Sequence, residues 1–321
     1  RERREIHFPG INYSDFLPDE QELLKNYNIT SLYYLPLIVG DEILGTMRFH
    51  NYGGEMHLSD FEKDLIRRRT AIVSKAIHNA RLYGDLKRKN EIIEIDMDLA
   101  RRIQQNLLPQ DPPEISGVSI AFLYQPMTAV GGDYYGFIIP SGRDPHELGC
   151  IITDASGHGV SAAFITSMIK LSMERDTIVS KFHEPAALMR QLNAYLLNNL
   201  ADNFVTACYC YFNLKTMECR IANAGHVPLC RINRTAGEIM NYNPAGPVLG
   251  YFEDACFKEE IIRISSNDRF LLYTDGLAEA CDRNGNFYIH KLEAFLKESV
   301  SLETGEFLDK LYRDIKDHSL F

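Results

Sequence analysis

Two segments of this sequence run an apolar stretch into an acid. Residues 150–159 read CIITDASGHG and carry Asp154 after the apolar run, and residues 270–276 read FLLYTDG with Asp275 in the matching place. An ionised carboxylate at the end of a buried strand is costly unless it is hydrated, paired or bound to a cation, and nearby acids raise one another's pKa. A hard divalent cation removes that conflict. Ala155 and Gly276 follow the two acids and leave room for backbone carbonyls and waters, while GGDYYG sets a third acid, Asp133, behind two glycines. Oxygen-only donors suit magnesium or manganese. Bound ions of that kind lower the pKa of a water and neutralise phosphoryl oxygens, which points to hydrolysis of a phosphate ester. A single Asp-Gly reads as a turn; three acids with one shared grammar read as a metal site.

The acids need a frame, and the patterning around them supplies one. Residues 117–126, 134–140 and 148–154 read as strands, 160–176 and 185–200 as helices, the second with Pro185 in its first turn. Further strands follow in FVTACYCYFN, MECRIANAG, VPLCRIN and EIMNY, then helices at 287–300 and 306–316, with HSLF opening a last strand. Antiparallel strands with helices laid on a face define an α+β sandwich rather than a doubly wound parallel sheet. Upstream, residues 31–50 read as a hairpin around Gly40-Asp41. Ser59 and Glu62 form a capping box that opens a long helix, which Pro109, Pro112 and Pro113 stop after Leu108. In it Leu86, Ile93, Ala100 and Leu107 recur at heptad spacing, and Ile92, Ile95 and Leu99 form a second stripe, so both a dimeric coiled coil and packing within the chain fit.

GGDYYGF (131–137), DASGHGVSAA (154–163), NAGHVPL (223–229) and YTDGLAEA (273–280), in this order, resemble the SpoIIE-like branch of the PPM metal-dependent serine/threonine phosphatases, and ARRIQQNLLP (100–109) resembles the helix leading into that domain. Together the motifs are specific; any one alone is weak. The resemblance implies a PPM-type β-sandwich flanked by helical layers, with a cleft for one or two Mn2+ or Mg2+ ions. Asp133 and Asp154 then match metal-site acids, Ala155 the residue whose backbone carbonyl binds metal, and Asp275 the acid on a second ion. The family's last metal motif falls on KDHS (316–319), where Lys316 occupies the place of an acid and Asp317 keeps the other. An ammonium there weakens cation binding nearby, and the alternatives are a register one residue off or a lysine in solvent. His158 is a general-acid candidate, whereas His226, Asn223 and Ser161 read as turn and helix-start residues.

LPLIVGDEILGTMRFHN and the helix ending IHNARLY resemble the C-terminal half of a GAF sensory domain. The expected organisation is a partial GAF-like α/β domain at 1–84, a helical linker with coiled-coil spacing at 85–112 and a SpoIIE-like phosphatase domain at 113–321. The resemblance implies a phosphorylated signalling protein as substrate, of the anti-anti-sigma-factor kind; the linker offers a homodimer seam. Two further readings stay open: a catalytically weak docking module, and a GAF-type receptor whose phosphatase-like half is an output surface.

Bulk composition narrows the classes. With 45% hydrophobic residues in 321 the chain can bury real cores, and 44 acidic against 34 basic side chains leave a net charge of −10, which disfavours nucleic acid and anionic membrane as partners. No apolar run approaches the roughly 18 residues of a membrane span. The 7 cysteines include no C-x-x-C pair and lie mostly in apolar or alternating segments, as reduced thiols of a cytoplasmic protein do. Arg1 opens the chain, which reads as a fragment.

Overall fold

The computed structural model describes residues 4–126, 130–139, 146–157 and 159–319. The chain divides into two compact units, Arg1–Glu94 and Ile95–Phe321.

In the first unit β1 (Ile6–Phe8) precedes α1 (Pro18–Asn26), β2 (Ser31–Val39) and β3 (Glu42–Asn51). The strands form an antiparallel sheet in the order β1-β2-β3, and β2 turns into β3 through Gly40, whose φ of 58° needs no Cβ. Leu24, Ile29 and Leu32 are its core, packed by Phe8, Phe16 and Tyr34. The helix α2 (Asp60–Leu107) starts on the expected box: Glu62 Oε2 accepts from the Ser59 amide at 2.8 Å, and the Glu62 amide donates to Ser59 Oγ at 3.3 Å. Gly84 does not interrupt it.

The second unit holds β4 (Asp133–Ile138), β5 (Glu147–Ala155), α3 (Val160–Met173), α4 (Asp176–Val179), α5 (Pro185–Leu196), β6 (Val205–Asn213), β7 (Glu218–Ala224), β8 (Leu229–Asn233) and β9 (Glu238–Tyr242). It closes with β10 (Glu259–Arg263), β11 (Asp268–Leu271), α6 (Asp275–Ala278), α7 (Ile289–Glu298) and α8 (Thr304–His318). The strands build two antiparallel sheets, β10-β7-β6-β5-β4 and β11-β8-β9.

Alternation along a strand sends successive side chains to opposite faces, and β6 shows what that does here. Val205, Ala207, Tyr209 and Tyr211 join Ile165, Ile169, Leu188 and Leu192 of α3 and α5 in one core. Cys208, Cys210 and Phe212 face the other way and join Leu229 of β8 and Ile262 of β10 in a core between the sheets. A third core packs Leu292, Phe295, Phe307 and Leu311 of α7 and α8 on Cys230 and Ile232 of β8. The layers therefore run helices, sheet, sheet, helices.

Three expected boundaries move. Residues 117–126 form no ladder strand: beyond an isolated Ile115–Val118 bridge their alternation serves ring packing, with Phe122 and Tyr124 centred 4.8 and 6.3 Å from Tyr135. β11 ends at Leu271, so Asp275 heads the short helix α6 instead of ending a strand. At the C-terminus HSLF opens no strand over its described residues, because Phe307, Leu311 and Ile315 keep one helical face in the core and carry α8 through His318, with Ser319 as its cap; residues 320–321 lie outside the described residues.

Candidate active site

Strand register brings the first two acids together. Asp133 opens β4 directly opposite Asp154 on β5, and Asp154 is in turn opposite Thr206 on β6. Asp154 shares its face with Cys150 and Ile152, and Thr206 with Cys208, all of which face the space between the sheets. The carboxylate therefore stands where that apolar layer ends. From the other sheet, Thr274 just before α6 donates its hydroxyl to Asp133 Oδ2 at 3.2 Å, which brings Asp275 to the same end. Gly132 closes the group: its carbonyl accepts from the Ala155 amide at 3.0 Å, and a Cβ on it would stand 2.7 Å from the Ala155 carbonyl oxygen and 3.4 Å from Asp154 Oδ1. Any side chain at 132 would fill the space beside that carbonyl and carboxylate.

The electrostatics carry the conflict foreseen for crowded acids. Burial first, then the charges of Asp133 and Asp275, push Asp154 up to about 7. Burial also lifts Asp133 to about 6; the Thr274 hydrogen bond opposes this and the Asp275 charge adds to it. Glu279, beyond α6, adds its charge to Asp154, and sequence reading missed it. Its signal was present as an acid four residues after Asp275, one helical turn on, but reading Asp275 as a strand end hid that relation.

Among the described residues, no group of three or more His, Cys, Asp or Glu side chains forms a ready-made metal cage. The donor set instead fits a magnesium- or manganese-type ion, which takes one or two carboxylates and keeps several waters. Asp133, Asp154, the Ala155 carbonyl and, from α6, Asp275 are the groups that would hold it, and a bound cation would relieve the repulsion that raises the two pKa values.

His226 ties these pieces together without reaching for substrate. It is buried, its Nε2 lies 3.0 Å from the Tyr273 carbonyl, and its Nδ1 lies 2.7 Å from Thr206 Oγ1. A carbonyl can only accept, so Nε2 bears the proton and Nδ1 accepts from the threonine. Burial depresses the ring's pKa to about 4, with the Asp275 charge opposing the shift, so it stays neutral at ordinary pH. Asn223 fixes the turn: its Oδ1 accepts from the His226 amide at 2.7 Å and its Nδ2 donates to the His226 carbonyl at 3.0 Å. Between them Gly225 takes a φ of 68°, and a Cβ there would meet Val248 Cγ1 at 2.9 Å.

Of the remaining sequence candidates, two stand on α8 and one on α3. Asp317 is exposed in the last turn of α8. Lys316 is exposed too, its ammonium 5.4 Å over the Tyr312 ring of its own helix. Ser161 is exposed in the first turn of α3. His158 lies outside the described residues.

Paired antiparallel sheets between helical layers, with acids at the sandwich end, make this a mixed α/β fold of the PP2C type. The SiaA-PP2C domain of Pseudomonas aeruginosa superposes with a TM-score of 0.62 at 18% identity, over 72% of this chain and 92% of that one. The family model for Stage II sporulation protein E (SpoIIE) matches residues 144–320, and the chain belongs to that family. Among relatives, phosphoserine phosphatase RsbU of Bacillus subtilis is 26% identical over 221 residues, 68% of this chain and 64% of RsbU. Phosphoserine phosphatase RsbP of the same organism is 29% identical over 189 residues, 57% of this chain and 45% of RsbP. The chain thus spans less than two thirds of the length of either relative.

Proposed function

We propose that this chain is a divalent-metal-dependent phosphatase that removes phosphate from serine or threonine of a signalling protein. The observation that carries the reading is the meeting of Asp133 and Asp154 in one register at the sandwich end, both held above the ordinary carboxylate range. Membership of the SpoIIE family and the names of RsbU and RsbP as phosphoserine phosphatases support it. A bound Mn2+ or Mg2+ would supply a water of lowered pKa and offset phosphoryl charge. Asp133 and Asp154 hold the ion's side of the site, Thr274 fixes the rotamer of Asp133, and neutral His226 joins the β6 and β11 sides so that Asp275 faces them.

The substrate class we infer is a phosphorylated partner-switching protein of the anti-anti-sigma-factor kind. With Asp317 exposed and Lys316 beside it, we read the site as tight for one ion and weak for a second. A phosphoserine peptide incubated with Mn2+ should release phosphate, and a chelator should stop release; calorimetric titration with Mn2+ should count one tight ion. No Mn2+-dependent release would leave the docking-module reading in its place, and two tight ions would end the account of Lys316.

The residues before the phosphatase region we read as a partial GAF-like sensory domain joined through α2. Along that helix Leu86 and Ile93, one heptad apart, are 57% and 58% exposed, and this apolar spacing supports self-association of two copies. Light scattering should give the mass of a dimer at micromolar concentration, and a monomer under those conditions would end the coiled-coil reading. Among the described residues no helix is long and apolar enough to cross a membrane.

A further inference from the structure

We propose that Gln104, in the last turns of α2, is a positioning residue for Asp133, acting through the backbone of Gly131. The inference rests on the metal-site reading above and extends it to a residue that touches neither ion nor substrate.

Gln104 is 4% exposed, on a stretch whose neighbours Ile103 and Gln105 face solvent. A buried carboxamide is costly unless its donors and acceptor are satisfied. Here they are satisfied mainly by one residue. Its Nε2 donates to the Gly131 carbonyl at 2.6 Å and to Thr166 Oγ1 at 2.9 Å, and its Oε1 accepts from the Gly131 amide at 3.0 Å. Grasping both polar groups of one peptide residue fixes position and orientation together, as a single hydrogen bond does not.

The clamp acts on the segment that delivers the acid. Gly131 is followed by Gly132, whose carbonyl is held by Ala155, and then by Asp133, whose carboxylate is held by Thr274. Gly131 is walled on its far side as well. A Cβ there would stand 2.5 Å from the Tyr124 hydroxyl and 3.1 Å from Pro126 Cβ. Among the described residues the Tyr124 hydroxyl is buried without a hydrogen-bond partner, and burial first, then the Asp133 charge, raises its pKa. With the tyrosine as a wall and Gln104 as a grip, the glycine pair has little freedom left, and Asp133 enters β4 from a fixed start. Thr166 on α3 extends the grip, since its own hydroxyl donates to the Ala163 carbonyl at 2.8 Å and leaves its oxygen to accept from Gln104.

Gln104→Met keeps length and removes every hydrogen bond; Gln104→Glu keeps shape and, when ionised, turns an acceptor toward two acceptors. Both variants should weaken Mn2+ binding, measured by calorimetry, at least tenfold, and speed exchange of the Gly131 amide in metal-free protein at least tenfold. Gln105→Met, one residue along on the exposed face, should change neither. A residue that merely packs would lower the melting temperature while leaving the Mn2+ Kd of the folded protein where it was. Unchanged Kd in a folded Gln104→Glu protein would therefore overturn the proposal, even if Gln104→Met fails to fold. Should wild type bind no Mn2+, the metal-site reading fails by itself, and the Gly131 exchange rate still decides whether Gln104 holds the segment.

Discussion

Asp154→Asn should lose about 10³-fold in Mn2+-dependent phosphate release while making the metal-free protein more stable. The first effect follows from removing a charged oxygen donor at the centre of the acids, where the lost transition-state stabilisation is on the order of 4 kcal/mol. The second follows from the repulsion that lifts Asp154 to about 7 and Asp133 to about 6. A carboxyl whose folded pKa exceeds its unfolded value near 3.8 holds its proton more tightly in the folded chain. Its contribution to stability is complete below about pH 4 and is lost as pH rises to about 7. Metal-free wild type should therefore melt at lower temperature as pH climbs through that window, and Asp154→Asn should flatten the slope. Because the site is partly solvated, the gain at pH 7 is on the order of 1–2 kcal/mol. Thermal unfolding in chelator between pH 5 and 8, beside phosphate release, reads both effects. A variant keeping a tenth of wild-type activity, or one no more stable than wild type, would contradict the arrangement of acids described above.

Arg231→Leu should destabilise the protein by about 3–5 kcal/mol, the cost of leaving a buried charge without its partner. Arg231 on β8 meets Asp268 at the start of β11 at 2.6 Å, with side chains only 10% and 2% exposed. Asp268 Oδ2 also accepts from the Ser265 amide at 2.7 Å, while its Oδ1 and Arg231 Nε find no hydrogen-bond partner among the described residues. Removing only the arginine strands the carboxylate. The double variant Arg231→Leu with Asp268→Leu should recover much of the loss, because replacing both members removes the desolvation cost along with the attraction. Urea unfolding of the two proteins checks this, and a single variant within about 1 kcal/mol of wild type would show that water reaches Asp268 after all.

An apolar run made Asp154 legible and a glycine pair made Asp133 so, because the environment of each is written locally, in the residues beside it. Period-two alternation likewise marked β4 to β9, and Ser59 with Glu62 and Pro185 marked helix starts, since capping is decided within one turn. What stayed hidden depends on contacts distant in sequence. Residues 117–126 alternate like a strand, yet whether a backbone ladder forms depends on which neighbour is free, and that is a tertiary matter. Glu279 joined the acids only once Asp275 proved to head a helix. Gln104 was overlooked because periodicity counts apolar side chains, and a buried amide inside RRIQQNLL looks like one more solvated residue.

One consequence of β6 reaches beyond packing. Because its tyrosines serve one layer and its cysteines another, the strand behaves like a text with a reading frame. Inserting or deleting one letter between Thr206 and Phe212 would either exchange phenols for thiols downstream or strip Thr206 of its alignment with Asp154. Within the strand, edits keep both faces only in pairs.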